Sequence, residues 1–219
     1  MSKGILPELI REKRSFAFPD MRADIVEAEG GVIEGHAAVF DQRTVIGGMY
    51  EEVIERTAFA RTDFRDVVMT VNHNLQSIPL ARSRNNNANS TLQLSVDNVG
   101  LFMRGTLDIE NNNEARALHS SVARKDIDGM SFIFFIRDQK WENLDSDMPI
   151  RRILDIARVV EVSAVSFPAY VGTDIDVAAR DQQALESARS VLESARSGLV
   201  SSNNELEILR IRNQILAKG

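Results

Sequence analysis

Ser131-Phe132-Ile133-Phe134-Phe135-Ile136-Arg137 is the stretch on which the reading of this chain turns. Aromatic and β-branched side chains dominate it, and they pack better on a pleated sheet than around a helix. Residues 158–165 have the same character, with Val159-Val160-Glu161-Val162-Ser163 inside them. Working outward, residues 25–29, 32–40, 67–71, 91–96 and 101–109 form further runs of this kind, divided by Gly, Asn and Asp. Asp97-Asn98-Val99-Gly100 reads as a hairpin turn between two of them, and the Asn-rich residues 85–89 as a flexible loop. Two helical stretches interrupt the strands, at residues 51–64 and 113–124. Many short strands with few helices predict an α+β fold, mainly an antiparallel β-barrel core with a few flanking helices and a C-terminal helical tail.

Three segments follow from the pattern. Residues 1–20 mix charges with Pro7 and Pro19 and are expected to form a flexible N-terminal arm. Residues 21–180 form the β-rich domain, and residues 181–219 the helical tail. Within the tail, Leu185-Glu186-Ser187-Ala188-Arg189-Ser190 recurs unchanged as Leu192-Glu193-Ser194-Ala195-Arg196-Ser197. Leu185, Ala188, Leu192, Ala195 and Leu199 then share one helix face at heptad spacing. Gly198 and Ser201-Ser202-Asn203-Asn204 interrupt that helix, and Asn204 is placed to cap a second one over residues 205–216. Two repeats are too few for an autonomous coiled coil, so packing on the chain's own domain and binding a partner both stay open.

Composition narrows the function classes. At 219 residues the chain can hold one substantial core, and 43% hydrophobic with 26% charged residues is ordinary for a globular protein. A formal charge of −6 argues against nonspecific nucleic-acid binding. The absence of cysteine excludes disulfides, thiolate metal sites and cysteine nucleophiles. No stretch has the length and apolarity of a signal peptide or a membrane helix, so a soluble, unsecreted protein is expected. No spacing suggests a metal site, and no cofactor is expected.

A serine becomes a nucleophile only beside a base that takes its proton. Ser131 opens one strand, and His73, in Asn72-His73-Asn74, closes another. There is no G-x-S-x-G elbow and no βα alternation, which argues against an α/β-hydrolase. Of the other histidines, His36 reads as a surface cross-strand residue and His119 as a solvent-facing helix residue. Glu161 is a carboxylate within an apolar strand: the group that orients His73, or simply the polar face of an alternating strand.

The order of segments resembles the prohead maturation proteases of tailed bacteriophages, serine proteases related in fold to herpesvirus assemblin. The resemblance runs from about Val32 to Arg180. It is carried by Gly35-His36-Ala37-Ala38-Val39-Phe40, by residues 50–59 ending in Thr57-Ala58-Phe59, by Asn72-His73-Asn74 and by Ile78-Pro79-Leu80-Ala81-Arg82. Asn98-Val99-Gly100-Leu101, Gly129-Met130-Ser131-Phe132, Glu161-Val162-Ser163 and Phe167-Pro168-Ala169-Tyr170 continue it in the same order. The resemblance implies a serine endopeptidase with Ser131 as nucleophile, His73 as general base and Glu161 as the third residue, His119 being its rival. Two positions depart from relatives that carry glycine: Ala81, and Ile133, which is expected to point away from the serine. Arg151 and Arg152 are either a solvated pair or residues that position the oxyanion-binding loop. The implied substrate is the scaffolding region of the major capsid protein, cut inside the immature capsid in the bacterial cytoplasm, with self-cleavage and a homo-oligomer also implied. A catalytically inactive assembly scaffold using the helical tail, and a small-molecule esterase, are the alternatives.

Overall fold

The computed structural model describes residues 9–16, 20–26, 30–166, 186 and 188–198. In chain order the strands are β1 (Ile10–Phe16), β2 (Arg22–Val26), β3 (Gly30–Val39), β4 (Thr44–Ile46), β5 (Tyr50–Ile54), β6 (Val68–Val71), β7 (Ala81–Arg82), β8 (Leu92–Val96) and β9 (Gly100–Leu107). Helix α1 (Asn113–Ala123) follows, then β10 (Gly129–Glu142) and β11 (Ile150–Val165).

These strands make two sheets rather than the expected closed barrel. A seven-stranded sheet runs β1-β10-β11-β5-β4, with β6 and β7 branching from β11, and a four-stranded sheet runs β2-β3-β9-β8. The branch arises because β11 is long: Ile150–Ile153 pair with β5 and Glu161–Ala164 with β6, both in parallel, while β10 lies along its other edge. The other pairings are antiparallel. Met130, Phe132, Phe134, Val162 and Ala164 on the seven-stranded sheet meet Ile33, Leu101, Met103 and Leu107 on the other. Apart from Ala164, each of these buried side chains contributes about 1.5–3 kcal/mol of burial energy. Alternation makes that possible: the residues between them face away from the core.

Helix α1 forms where expected. The Asn112 side chain caps it by accepting from the backbone N–H of Glu114 and Ala115, and Ala115, Leu118 and Val122 bury one stripe. The turn expected at Asp97–Gly100 is present, with the Asp97 carboxylate accepting from the N–H of Val99 and Gly100. Residues 51–64 are not a helix. They continue β5 and then pass through successive turns, Ala58 N–H to Glu55 O and Ala60 N–H to Thr57 O. Within this stretch Glu52 is buried against two arginines, Arg14 and Arg151, that its local sequence does not reveal.

Residues 10–16 were expected in a flexible arm and instead form β1, antiparallel to β10 from Ile10↔Ile136 to Phe16↔Met130. Its anchor is an ion network. The Arg14 guanidinium donates through Nε and Nη2 to Glu52 at 2.6 and 3.0 Å and through Nη1 to Glu12 at 2.9 Å. Arg151 Nη1 donates to Glu12 at 2.7 Å and to Glu52 at 3.0 Å. Strand β1 and strand β5 are separated by β10 and β11, a gap of roughly 14 Å in a flat sheet. Their side-chain contact therefore reflects the curl of this sheet. Arg151, one of the pair read as solvated or loop-positioning, is fully buried here; Arg152 pairs with Glu55 and Glu142.

The helical residues 188–198 pack on the domain itself. Ala188 and Leu192, which share the heptad face, are buried with Tyr50 and pack against Trp141 and Leu144. Arg196 donates to the backbone carbonyls of Leu144 and Ser146. The proposed second tail helix lies outside the described residues.

Burial alone would raise the Glu12 carboxyl, but the Arg14 and Arg151 charges outweigh it and hold the group below its ordinary value of 4.5. Its contribution to the docking of β1 is therefore fully present above 4.5 and is lost as pH falls through the lower folded value. Hydrogen exchange, corrected for intrinsic rates, should show protection of amides 10–16 at neutral pH and its selective loss in acid. Protection unchanged down to about pH 2 would contradict this.

Candidate functional site

The register of three strands builds the site. Ser131 on β10 faces Ser163 on β11, and Ser163 faces Thr70 on β6. Glu161, two residues before Ser163, shares their face. The flanking Phe132, Val162 and Met69 point into the core, so this polar row occupies the sheet's opposite face. Ile133 pairs with Glu161 and belongs to the same face as Ser131. The expectation that it points away is corrected, because residues two apart on a strand lie on one side.

His73 reaches the row through a tight turn. Strand β6 ends at Val71, and both Asn72 and His73 take left-handed backbone angles, φ 49° and 59°. Such angles cost a non-glycine residue about 1–3 kcal/mol, and the local hydrogen bonds offset this. Asn72 N–H donates to Ala164 O at 2.9 Å, its side-chain oxygen accepts from Ser166 N–H, and His73 N–H donates to Ser163 Oγ at 2.9 Å. The imidazole is thereby turned back over the sheet.

One relay results. His73 Nε2 lies 2.6 Å from Ser131 Oγ, and Nδ1 lies 2.8 Å from Glu161 Oε2. Thr70 Oγ1 donates to Glu161 Oε1 at 2.5 Å and sits 3.1 Å from Ser163 Oγ. Ser131 and Glu161 have no exposed surface, and the His73 side chain retains 13%. A buried carboxylate without partners is costly, so the hydroxyl of Thr70 and the imidazole keep Glu161 tolerable in its apolar strand. Such an arrangement lets an imidazole take a proton from a hydroxyl while a carboxylate fixes its orientation. Beside it, Thr70, Asn72, Ile78, Leu80, Leu118 and Ile127 line a cleft of about 420 Å³.

Ser131 Oγ has a second acceptor, the Arg14 carbonyl of β1 at 2.8 Å. A hydroxyl carries one proton, so it serves either His73 or Arg14 at a given moment.

Of the residues singled out in the sequence, His73, Ser131 and Glu161 come together and His119 does not. His119 is half-buried on α1, with Nε2 2.9 Å from the Asp24 carbonyl oxygen. His36 is not a surface residue. It is buried between Asp20 and Asp97, at 2.5 and 3.0 Å, and stands edge-on to Phe102 in the four-stranded sheet. Thr70 and Arg14 are not marked by the sequence as site residues, and Ser163 enters only as the last residue of Glu161-Val162-Ser163. Thr70 and Ser163 leave a faint trace as polar residues in apolar strands; Arg14 leaves none. Among the described residues, no group of three or more His, Asp or Glu side chains is placed to hold a metal ion, and no helix is long and apolar enough to cross a membrane.

Residues 19–188 match the model of the caudovirus prohead serine protease family. The match spans well over half the chain, which therefore belongs to that family of serine-type proteases. No curated protein matches the chain. Among solved structures, the bacteriophage T4 capsid assembly protease is similar over 72% of this chain and 98% of its own, at 10% identity and a TM-score of 0.41.

Ser163→Ala removes the acceptor of the His73 N–H and one neighbour of Thr70. Leaving this partly buried N–H unpaired costs about 1 kcal/mol, the lower end for a lost buried partner, so chemical denaturation should show a loss of that order. A change below about 0.5 kcal/mol would mean that Ser163 does not hold the turn.

Proposed function

We propose that this chain is a serine endopeptidase that cleaves the scaffolding region of the major capsid protein, and itself, within the immature capsid. Ser131 is the nucleophile, His73 the general base and Glu161 the residue that orients the imidazole. The observation that carries this reading is the unbroken Ser131–His73–Glu161 relay, at 2.6 and 2.8 Å, in a chain of the prohead protease family.

The chemistry follows from the atoms. Ser131 Oγ attacks a peptide carbonyl as its proton passes to His73 Nε2, while Glu161 accepts from Nδ1–H and stabilises the imidazolium that forms. Collapse of the tetrahedral intermediate breaks the C–N bond, and His73 returns the proton to the leaving amine. Water, activated by the same imidazole, then hydrolyses the ester and restores the serine. Thr70 holds the second oxygen of Glu161, so the carboxylate cannot rotate away from the ring. The major capsid protein is the proposed partner; a homo-oligomer and action inside the shell belong to the same reading. The inactive-scaffold alternative draws on the tail, but Ala188 and Leu192 are already buried against the domain.

Co-expression with the capsid precursor tests the roles. Wild type should process the precursor; Ser131→Ala and His73→Ala should each slow processing by about a thousandfold or more, and Glu161→Gln by a comparable factor. Undiminished processing by Ser131→Ala would overturn the nucleophile assignment.

A further inference from the structure

Strand β1 lies before the span shared with the family, which begins at residue 19, yet it occupies the edge of the strand that carries Ser131. Its side chains alternate, so Glu12 and Arg14 project to one side. There they meet two charges belonging to the domain. Glu52 takes the Arg14 guanidinium through both oxygens, and Arg151 takes the Glu12 carboxylate. The Tyr50 hydroxyl stands 3.4 Å from Arg14 Nη2, and burial raises its pKa, so it remains a neutral phenol. Arg151 is held by Gln139 through Nε, and its Nη2 is buried with no hydrogen-bond partner among the described residues. In the same register the Arg14 carbonyl meets Ser131 Oγ.

We infer that the β10 edge, with Glu52 and Arg151, is a recognition slot for an extended peptide carrying an acidic residue two positions before a basic one, and that Glu12-Lys13-Arg14-Ser15 occupies it as an internal substrate mimic. The inference rests on the proteolytic reading of Ser131 and names its substrate class. Glu52 selects the basic side chain and Arg151 the acidic one, each by a charge-assisted hydrogen bond in a site with little water. A substrate in this register presents the carbonyl of its basic residue to Ser131. Oγ bonds to that carbon, the bond to the next residue breaks, and the amine leaves with the proton relayed by His73. Water then releases the acidic-x-basic fragment. While β1 is docked, a serine hydroxyl that donates to the Arg14 carbonyl does not donate to His73, and no other strand can enter. A tethered strand has a high effective concentration, so a substrate must displace β1.

Removing Glu12 and Arg14 together takes away one charge of each sign, and Arg151 and Glu52 remain paired with each other at 3.0 Å. The double variant Glu12→Ala/Arg14→Ala in the full chain is therefore the suitable one. Exchanging the two charges, Glu12→Arg/Arg14→Glu, is the second; circular dichroism and thermal melting report that each remains folded. The probe is the fluorescein-labelled nonapeptide with the sequence of residues 9–17, and its control has the Glu and Arg exchanged. With Ser131→Ala present to prevent turnover, anisotropy should show the probe binding either variant at least about tenfold more tightly than the chain with intact β1, and about tenfold more tightly than the control peptide. With Ser131 restored, mass spectrometry should find the probe cut after its second arginine. Equal affinity for the two peptides, no gain over intact β1, or a cut at another bond overturns the inference. Binding is read without Ser131, so it stands or falls separately from proteolysis, which precursor processing decides.

Discussion

The ladder between β10 and β11 is the constraint on which the rest depends. Thirteen residue pairs join the fourteen-residue β10 to the sixteen-residue β11, and at the site their register sets Ser131 against Ser163 and Ile133 against Glu161. A slip of one residue would send Phe132, Phe134 and Val162 to the outer face and Ser131 and Glu161 into the apolar core. Burial of the aromatic face therefore fixes the placement of the polar face. The same ladder leaves the far edge of β11 free for β6, whose parallel pairing delivers the turn that carries His73.

Two buried polar groups answer different physical demands. The row of Thr70, His73, Ser131, Glu161 and Ser163 is a hydrogen-bond relay with one carboxylate, kept in place because its oxygens and the imidazole nitrogens meet partners on neighbouring strands. The cluster of Glu12, Arg14, Glu52 and Arg151 is balanced in charge, two of each sign. Desolvating four charges is expensive, and geometry this close is what offsets it. Strand β1 belongs to both. Its side chains join the ion cluster while its backbone reaches the nucleophilic serine of the proposed relay, so the two groups are joined through a single residue, Arg14.

The sequence made the strands legible because their apolar runs are long and β-branched, and it marked Ser131, His73 and Glu161 by position within those runs. The resemblance to phage proteases supplied the roles that pattern alone left open. What the sequence hid depends on contacts between distant segments. Residues 10–16 look too charged for a buried strand until Glu52 and Arg151 are seen to neutralise them. Residues 51–64 look helical until their start is seen to be strand β5, with Glu52 held by Arg14 and Arg151, and His36 looks exposed until Asp20 and Asp97 are found on either side. A closed barrel was a fair reading of many short strands, but the branch at β11 uses the sheet differently. The heptad face of residues 188–198 was open to two partners, and Tyr50 and Trp141 provide one within the chain.

The central claim is that the relay makes Ser131 reactive. Mapping by peptide mass spectrometry after exposure to a fluorophosphonate probe addresses it directly, because such probes bond to a serine activated by a neighbouring base. The account predicts a single adduct on Ser131 that disappears in His73→Ala. An adduct on another serine, or labelling of Ser131 that survives the loss of His73, would contradict it.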